Sequence, residues 1–279
     1  MILIADSGST HTDWAVIKDK QVKFSFNTKG INPYFTTSHK LQEELESELP
    51  GEINPAQVAT IYFYGAGCSS TENKSIVLKG LQPLFTQAKI EVNHDLLGAA
   101  RALFKQEPGI TIILGTGAST CLYDGKEITQ NVPSLGYILG DEGGGDHLGK
   151  LFMAELLYGT PPQNIKAAFL DTYQLSEGQI MQKIYKGEHP NRFLASTCEF
   201  IYKHRNNHFM IQLIHQSFDA LFEKHITQYK GYQDYKIKAV GSIAYYFFPF
   251  LNEVAMKFNT KVDEVEKKPI MKLAEYHLS

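Results

Sequence analysis

Cysteine is scarce in this chain. Cys68, Cys121 and Cys198 are spread through 279 residues, odd in number and outside any metal-ligand spacing. That excludes a disulfide framework and a zinc module and fits reduced thiols, so we expect a cytoplasmic protein. Long apolar runs are missing too: none approaches the ~20 residues that span a bilayer, so no membrane partner is expected. Asp6 interrupts the first apolar run, which argues against a signal peptide. An excess of either charge is lacking as well. The net charge is −3, with lysines and arginines scattered, which gives no electrostatic case for nucleic acid. The length suits two domains of ordinary size, each with its own core.

What is present is organised around Ile2–Ile17. An apolar run ends on Asp6, the turn Ser7-Gly8-Ser9-Thr10-His11-Thr12 follows, and Trp14-Ala15-Val16-Ile17 returns. Glycine permits the positive φ of a tight turn, and short runs bounded by Gly and Ser read as strands, so we expect a β-hairpin. Successive backbone N–H groups in such a turn form a concavity for an anion, and the hydroxyls of Ser7, Ser9, Thr10 and Thr12 add donors. Asp6 at the strand end would stand beside that anion and could hold a divalent cation through oxygen or water. Taken alone, the stretch reads first as an ordinary Ser/Thr/Gly hairpin.

The pattern recurs. Gly109–Leu114 is an apolar strand, Gly115-Thr116-Gly117 a turn, Ala118-Ser119-Thr120-Cys121-Leu122-Tyr123 a return strand, and Asp124-Gly125 a hairpin signal. Gly8 and Gly117 stand at equivalent points, so a unit repeats after roughly 110 residues, a length suited to one domain. Two such loops facing each other would grip a polyphosphate from both sides.

Between and beyond the hairpins the chain alternates strands with helices. Gln21–Phe26 reads as a third strand and Lys29–Tyr34 as a loop, since Pro33 biases Asn32 away from helix. Ser38 is placed to cap a helix through Leu49. Ala59–Tyr64 is a strand ending in Gly65-Ala66-Gly67, and Thr71 opens a helix toward Phe85 in which Pro83 interferes. Lys89–His94 is the next strand, followed by a helix from Leu96 to Gln106. Asp95 sits at that junction, where an aspartate serves as a helix N-cap that the helix dipole keeps ionised. Gly140-Asp141-Glu142-Gly143-Gly144-Gly145 then precedes a helix over His147–Tyr158. Its acidic pair favours hydroxyl or metal contacts over naked phosphate, and the stretch is otherwise a glycine hinge. Asn164–Lys230 is mostly helical, its apolar stripes read as core and its dispersed histidines as structural or exposed. Tyr235–Val240 is a buried strand, Gly241-Ser242 a turn, Ile243–Phe258 a helix containing Pro249, and Lys261–Val265 a last strand.

These pieces, in this order, resemble the sugar kinase, heat-shock ATPase and actin superfamily (ASKHA). Within it the chain resembles the N-acetylglucosamine kinase group and the related group of benzoyl-CoA-reductase-type ATPases. The resemblance rests on A-D-S-G-S-T-H-T-D-W, K-G-I-N-P-Y, N-H-D-L-L-G-A-A, L-G-T-G-A-S, G-D-E-G-G-G and V-G-S-I-A, which span nearly the whole sequence. It implies an α/β fold of two RNase H-like (actin-like ATPase) domains, with mixed sheets flanked by helices and a central cleft. The first would cover 1–108, completed by a terminal helix within 267–279, and the second 109–266. Gly144 replaces the family's usual serine, and Asp146-His147 stand where aromatic residues often follow.

The resemblance further implies an ATP- and magnesium-dependent kinase phosphorylating the primary hydroxyl of an amino sugar, foremost N-acetylglucosamine. Asp95 would be the catalytic base. ATP would meet Asp6, Ser7, Gly8, Ser9, Thr10, Thr12, Gly115, Thr116, Gly117 and Ser119, with adenosine at Gly241-Ser242. The sugar would meet Asn32, Gly65, Asp95, Thr116, Gly140 and Asp141. Asp6 would hold Mg2+, largely through water. A partner-activating ATPase and a non-catalytic nucleotide or sugar sensor are the other readings, and a homodimer stays open. An activator of that kind carries an iron–sulfur cluster on cysteines, which Cys121 and the distant Cys198 do not match in spacing.

Overall fold

In the computed structural model, which describes residues 1–8 and 10–278, the apolar runs flanking the first turn pair as strands β1 (Ile2–Ser7) and β2 (His11–Lys18). Their antiparallel register sets Asp6 opposite Asp13 and Ser7 opposite Thr12. With β3 (Gln21–Lys29), β4 (Thr60–Gly65) and β5 (Lys89–His94) they form a sheet of order β3-β2-β1-β4-β5. β2 and β3 run antiparallel, whereas β4 and β5 join β1 in parallel. Parallel addition brings carboxyl ends together: Ser7 pairs with Gly65, and Gly65 with His94.

Side chains alternate across a strand, so this sheet buries apolar residues on both faces. Leu3, Ala5, Trp14 and Val16 pack on one side, where the Trp14 ring stacks on Phe26. Ile4, Ala15 and Ile17 pack on the other against Leu273 and Ala274 of the last helix, Ile270–Leu278. That helix also packs on Asp95–Phe104, so the residues from Lys268 on belong with Met1–Pro108 and Tyr123–Ile128 in one compact unit.

Gly109–Leu122 and Thr129–Lys267 form the second unit. Its strands β6 (Gly109–Leu114), β7 (Ala118–Tyr123), β8 (Ile128–Val132), β9 (Ile237–Val240) and β10 (Val262–Glu266) are ordered β10-β9-β6-β7-β8. Counted from β6 as from β1, the two sheets have the same strand order. The repeat read from the hairpins therefore extends to the whole sheet. Between β8 and β9 a run of helices contributes the core residues Phe152, Phe169 and Phe200, whose rings meet at 5.2–5.7 Å. Among the described residues no helix is long and apolar enough to cross a membrane.

Local details depart from the sequence expectations for identifiable reasons. Thr37, not Ser38, caps the helix Ser38–Glu48, its hydroxyl accepting the Lys40 N–H at 3.3 Å. The helix Thr71–Leu81 stops short of Pro83. The helix expected over 243–258 is two, Ser242–Tyr246 and Phe248–Lys257, because Pro249 lacks an N–H and suits a first turn better than an interior. The hairpin signal at Asp124-Gly125 leads into β8, a sheet edge with three exposed residues in five that lacks the buried pattern of its neighbours.

Candidate active site

In the first unit, three parallel strands end in a row of candidate residues. Asp6 and Ser7 close β1, Gly65 closes β4, and Asp95 follows β5 as the first residue of the helix Asp95–Phe104. Carboxyl ends of parallel strands are where α/β sheets place ligands. Asp95 is not the N-cap. His94 holds that place, and the Leu96 N–H is shared between His94 Nδ1 (3.2 Å) and Asp95 Oδ1 (2.9 Å). The Asp95 side chain is 16% exposed, with His94 Nδ1 3.1 Å from its Oδ1. Its carboxyl is thereby oriented by a backbone donor and still open at one edge.

Burial first, then the like charges of Asp95 and Asp13, push the Asp6 carboxyl up to about 7; His11 and Lys268 pull the other way and do not compensate. A buried oxygen donor set short of positive charge suits a hard divalent cation, so Asp6 fits a magnesium site on chemistry. Asp13, its β2 partner, behaves oppositely. Burial would raise it, but hydrogen bonds with His11 and Lys268 and their charges hold it down to about 2. Lys268 Nζ is 2.7 Å and His11 Nε2 3.4 Å from its oxygens, and Asn27 donates to it as well.

The hydroxyls expected to face phosphate divide into two groups. Ser7 and Thr12 are wholly buried and face each other at 2.7 Å. Ser7 Oγ accepts the Ile31 N–H at 3.0 Å and lies 3.1 Å from the Ile31 carbonyl, while Thr12 donates to the Lys29 carbonyl at 2.9 Å. Their hydroxyls thus fasten the loop 29–34 to the hairpin. Gly8 and Thr10 are exposed at the turn; Ser9 lies outside the described residues. The fastened loop carries Asn32, whose Oδ1 accepts the Tyr34 N–H at 3.0 Å and sits so close to Gly67 that a Cβ there would fall 2.7 Å away. The Ala66 N–H binds the Ser7 carbonyl at 2.8 Å. Asn32, Gly65 and the end of β1 are therefore brought together.

In the second unit the turn Gly115–Gly117 joins β6 to β7, with Ser119 half-buried on β7. The segment 140–146 is locked against it. The N–H groups of Gly145 and Asp146 bind the carbonyls of Gly115 (2.9 Å) and Thr116 (2.7 Å). Asp141, 7% exposed, accepts the Ala118 N–H at 3.2 Å and the Ser134 hydroxyl at 3.3 Å through Oδ1. Gly140 is buried beside it. Gly241 has φ +112°, and a Cβ there would lie 2.2 Å from the Leu114 carbonyl; only glycine fits, next to an exposed Ser242.

Positive φ is not what the glycines of the two hairpin turns supply. Neither Gly8 nor Gly115 nor Gly117 has a left-handed backbone. A Cβ at Gly117 would strike the Asp141 carboxylate at 2.7 Å, one at Gly8 would meet only the His11 carbonyl at 3.8 Å, and one at Gly115 meets nothing. Sequence reading noted Glu142 only as half of an acidic pair and missed its pairing with His225. Glu142 Oε2 is 3.2 Å from His225 Nε2, and the buried His225 ring leads on to Thr120 and Tyr229. His225 looked like one of several dispersed helical histidines, and no local pattern pairs it with Glu142. Asp146 was visible only as an aspartate in place of an aromatic residue.

No family model and no curated sequence matches the chain. Among solved structures it is similar to a Porphyromonas gingivalis protein named as a putative N-acetylglucosamine kinase, at 39% identity and TM-score 0.95, covering 100% of this chain and 99% of that one. A Chromobacterium violaceum protein named in the same way aligns at 16% identity and TM-score 0.75, covering 100% and 98%. A ROK-family glucokinase from Streptomyces griseus, solved with glucose and AMPPNP, aligns at 12% identity and TM-score 0.56, covering 99% and 97%. The last two share the fold.

Proposed function

Because the chain belongs to the N-acetylglucosamine kinase-like group of the sugar kinase, heat-shock ATPase and actin superfamily, we propose that it transfers the γ-phosphoryl group of ATP to the primary hydroxyl of an amino sugar. N-acetylglucosamine, giving N-acetylglucosamine 6-phosphate, is the foremost candidate. The observation that carries this reading is Asp95 in one row with Asp6 and Gly65 at the carboxyl ends of β5, β1 and β4. A bare nucleotide-binding fold needs no carboxylate at that point, whereas a hydroxyl acceptor needs a proton acceptor there.

Phosphoryl transfer asks mainly for positioning and charge neutralisation. The first unit would offer phosphate the turn at Gly8 and Thr10, with Ser7 and Thr12 acting from behind to hold its shape. The second unit would offer the turn Gly115–Gly117 with Ser119, and Gly241-Ser242 for adenosine. Magnesium, held through water by Asp6, would supply the neutralising charge. Asn32, Gly65, Thr116, Gly140 and Asp141 are assigned to the sugar side; a carboxylate has about four lone-pair sites, so Asp141 keeps capacity beyond Ala118 and Ser134. Asp95 would take the proton of the attacking hydroxyl on Oδ2, since Oδ1 is held by the Leu96 N–H.

The test is a panel of amino sugars with ATP and magnesium, reading ADP release together with the phosphorylated product. Sugar-dependent ADP release with a 6-phosphate product is the expected result. ADP release independent of every sugar would replace the kinase by an ATPase.

A further inference from the structure

Glu142 follows Asp141 in the segment 140–146, and one of its oxygens is held from a distant part of the chain. Glu142 Oε2 lies 3.2 Å from Nε2 of His225, the residue that caps the helix His208–Lys224 at its C-terminal end. His225 is 3% exposed and leads on through Nδ1 to Thr120 Oγ1 at 3.5 Å. Thr120 meets the Tyr229 hydroxyl at 2.7 Å, and that hydroxyl accepts the Val132 N–H at 3.2 Å. Burial would raise the Glu142 carboxyl, but its own backbone N–H and the His225 hydrogen bond hold it below the usual range. An ionised carboxylate only accepts, so His225 Nε2 carries the hydrogen and donates it. In the neutral imidazole Nδ1 is then the acceptor, so Thr120 donates to the ring and Tyr229 to Thr120. The chain of bonds runs from β8 through β7 to Glu142, with each group in one role.

What this chain fastens is a constrained turn. Asp141 has φ +59°, a region that residues with a Cβ visit sparsely and keep only where the surroundings over-determine it. Its carbonyl accepts the Gly144 N–H at 2.8 Å, closing a turn with Glu142 second and Gly143, at φ +83°, third. Ala118 and Ser134 hold Asp141 through its own carboxylate, and the bond to His225 holds the residue after it. We propose that Glu142 and His225 are a positioning pair: the buried imidazole anchors Glu142 to β7 and β8 and so keeps Asp141 in the left-handed conformation that presents its carboxylate to the sugar. The inference rests on the reading that Asp141 meets the sugar. An apolar side chain at 225 could fill the same space, but only a directional bond fixes where Glu142 points.

Calorimetry of the full chain with N-acetylglucosamine, and separately with magnesium and a non-hydrolysable ATP analogue, tests the pair. His225→Phe fills the space and cannot donate. Its sugar affinity should fall about tenfold, the worth of one hydrogen bond to a charged acceptor, with analogue affinity within about twofold of wild type. His225→Gln can still donate to Glu142 and should recover most of the loss. Glu142→Ala, at a partly exposed position, should match His225→Phe and decides the matter if the buried variant does not fold. Adding Glu142→Ala to Asp141→Ala should cost no further sugar affinity, because the pair acts through Asp141. Additive losses in that double variant, equal losses of sugar and nucleotide, or wild-type sugar affinity in Glu142→Ala overturn the pair; a purely structural role would move melting temperatures alone. A wild-type chain that binds no amino sugar removes the sugar reading and this inference with it. Normal wild-type binding with indifferent variants removes only the inference.

Discussion

The two glycine hairpins share a strand order but are held by opposite means. In the first, the supports lie inside the hairpin: Ser7 and Thr12 are opposite one another across β1 and β2 and turn their hydroxyls onto the loop 29–34. In the second, the turn 115–117 is clamped from a distant segment, by Asp141, by the Ser134 hydroxyl on the Ala118 carbonyl and by the backbone of 145–146. The buried carboxyls follow suit. Asp13 in the first unit is paired with cations and held low, whereas Asp146 in the second is left unpaired and held high. Duplication of a backbone path thus leaves the supporting chemistry free to diverge.

The largest contrast should appear at the equivalent glycines. Gly117→Ala puts a methyl into the Asp141 carboxylate, and overpacking of that kind costs about 1–3 kcal/mol. We expect ATP-analogue affinity to fall at least tenfold there and to stay within about threefold in Gly8→Ala. Equal losses at both positions would mean that the turns are held alike. Next in size is Ser7→Ala, which strands the Ile31 N–H in a buried site; urea unfolding should show a loss of about 1–3 kcal/mol. Ser134→Ala removes a half-exposed bond to Asp141 and should cost less.

The smallest effects are opposite slopes of stability with pH. Asp13 is held below the ordinary carboxylate range, so the native state binds fewer protons than the unfolded chain. Its contribution is present above about 4 and is lost as pH falls toward about 2. Lys268→Ala should flatten that acid-side loss in melting temperature. Asp146 is held above its ordinary range, so the native state binds more protons and stability declines as pH rises from about 4 to about 9. Asp146→Asn should abolish that decline. A common slope for the two variants would contradict the contrast.

Much of the fold was legible because strand alternation and glycine-bounded turns are local signals. The two hairpins and the strand ends bearing Asp6, Gly65 and Asp95 could be read from short stretches. What was not legible depends on contacts distant in sequence. Ser7 and Thr12 look like phosphate donors until β3 and the loop after it bury them. The need for glycine at 117 comes from Asp141, across the turn in space, not from its own φ. His94 displaced Asp95 as cap because an imidazole nitrogen can accept the same N–H, which a list of capping residues ranks low. Asp146 and the Glu142–His225 pair carry no local pattern at all.

The most direct test of the account is steady-state and binding analysis of Asp95→Asn. The amide keeps the shape and the Leu96 N–H bond but cannot accept the hydroxyl proton. We predict kcat lower by ~10²–10⁴, the usual worth of a general base, with affinities for the ATP analogue and the amino sugar within about threefold of wild type. A variant that keeps more than about a tenth of kcat would contradict the assignment of Asp95 as the base.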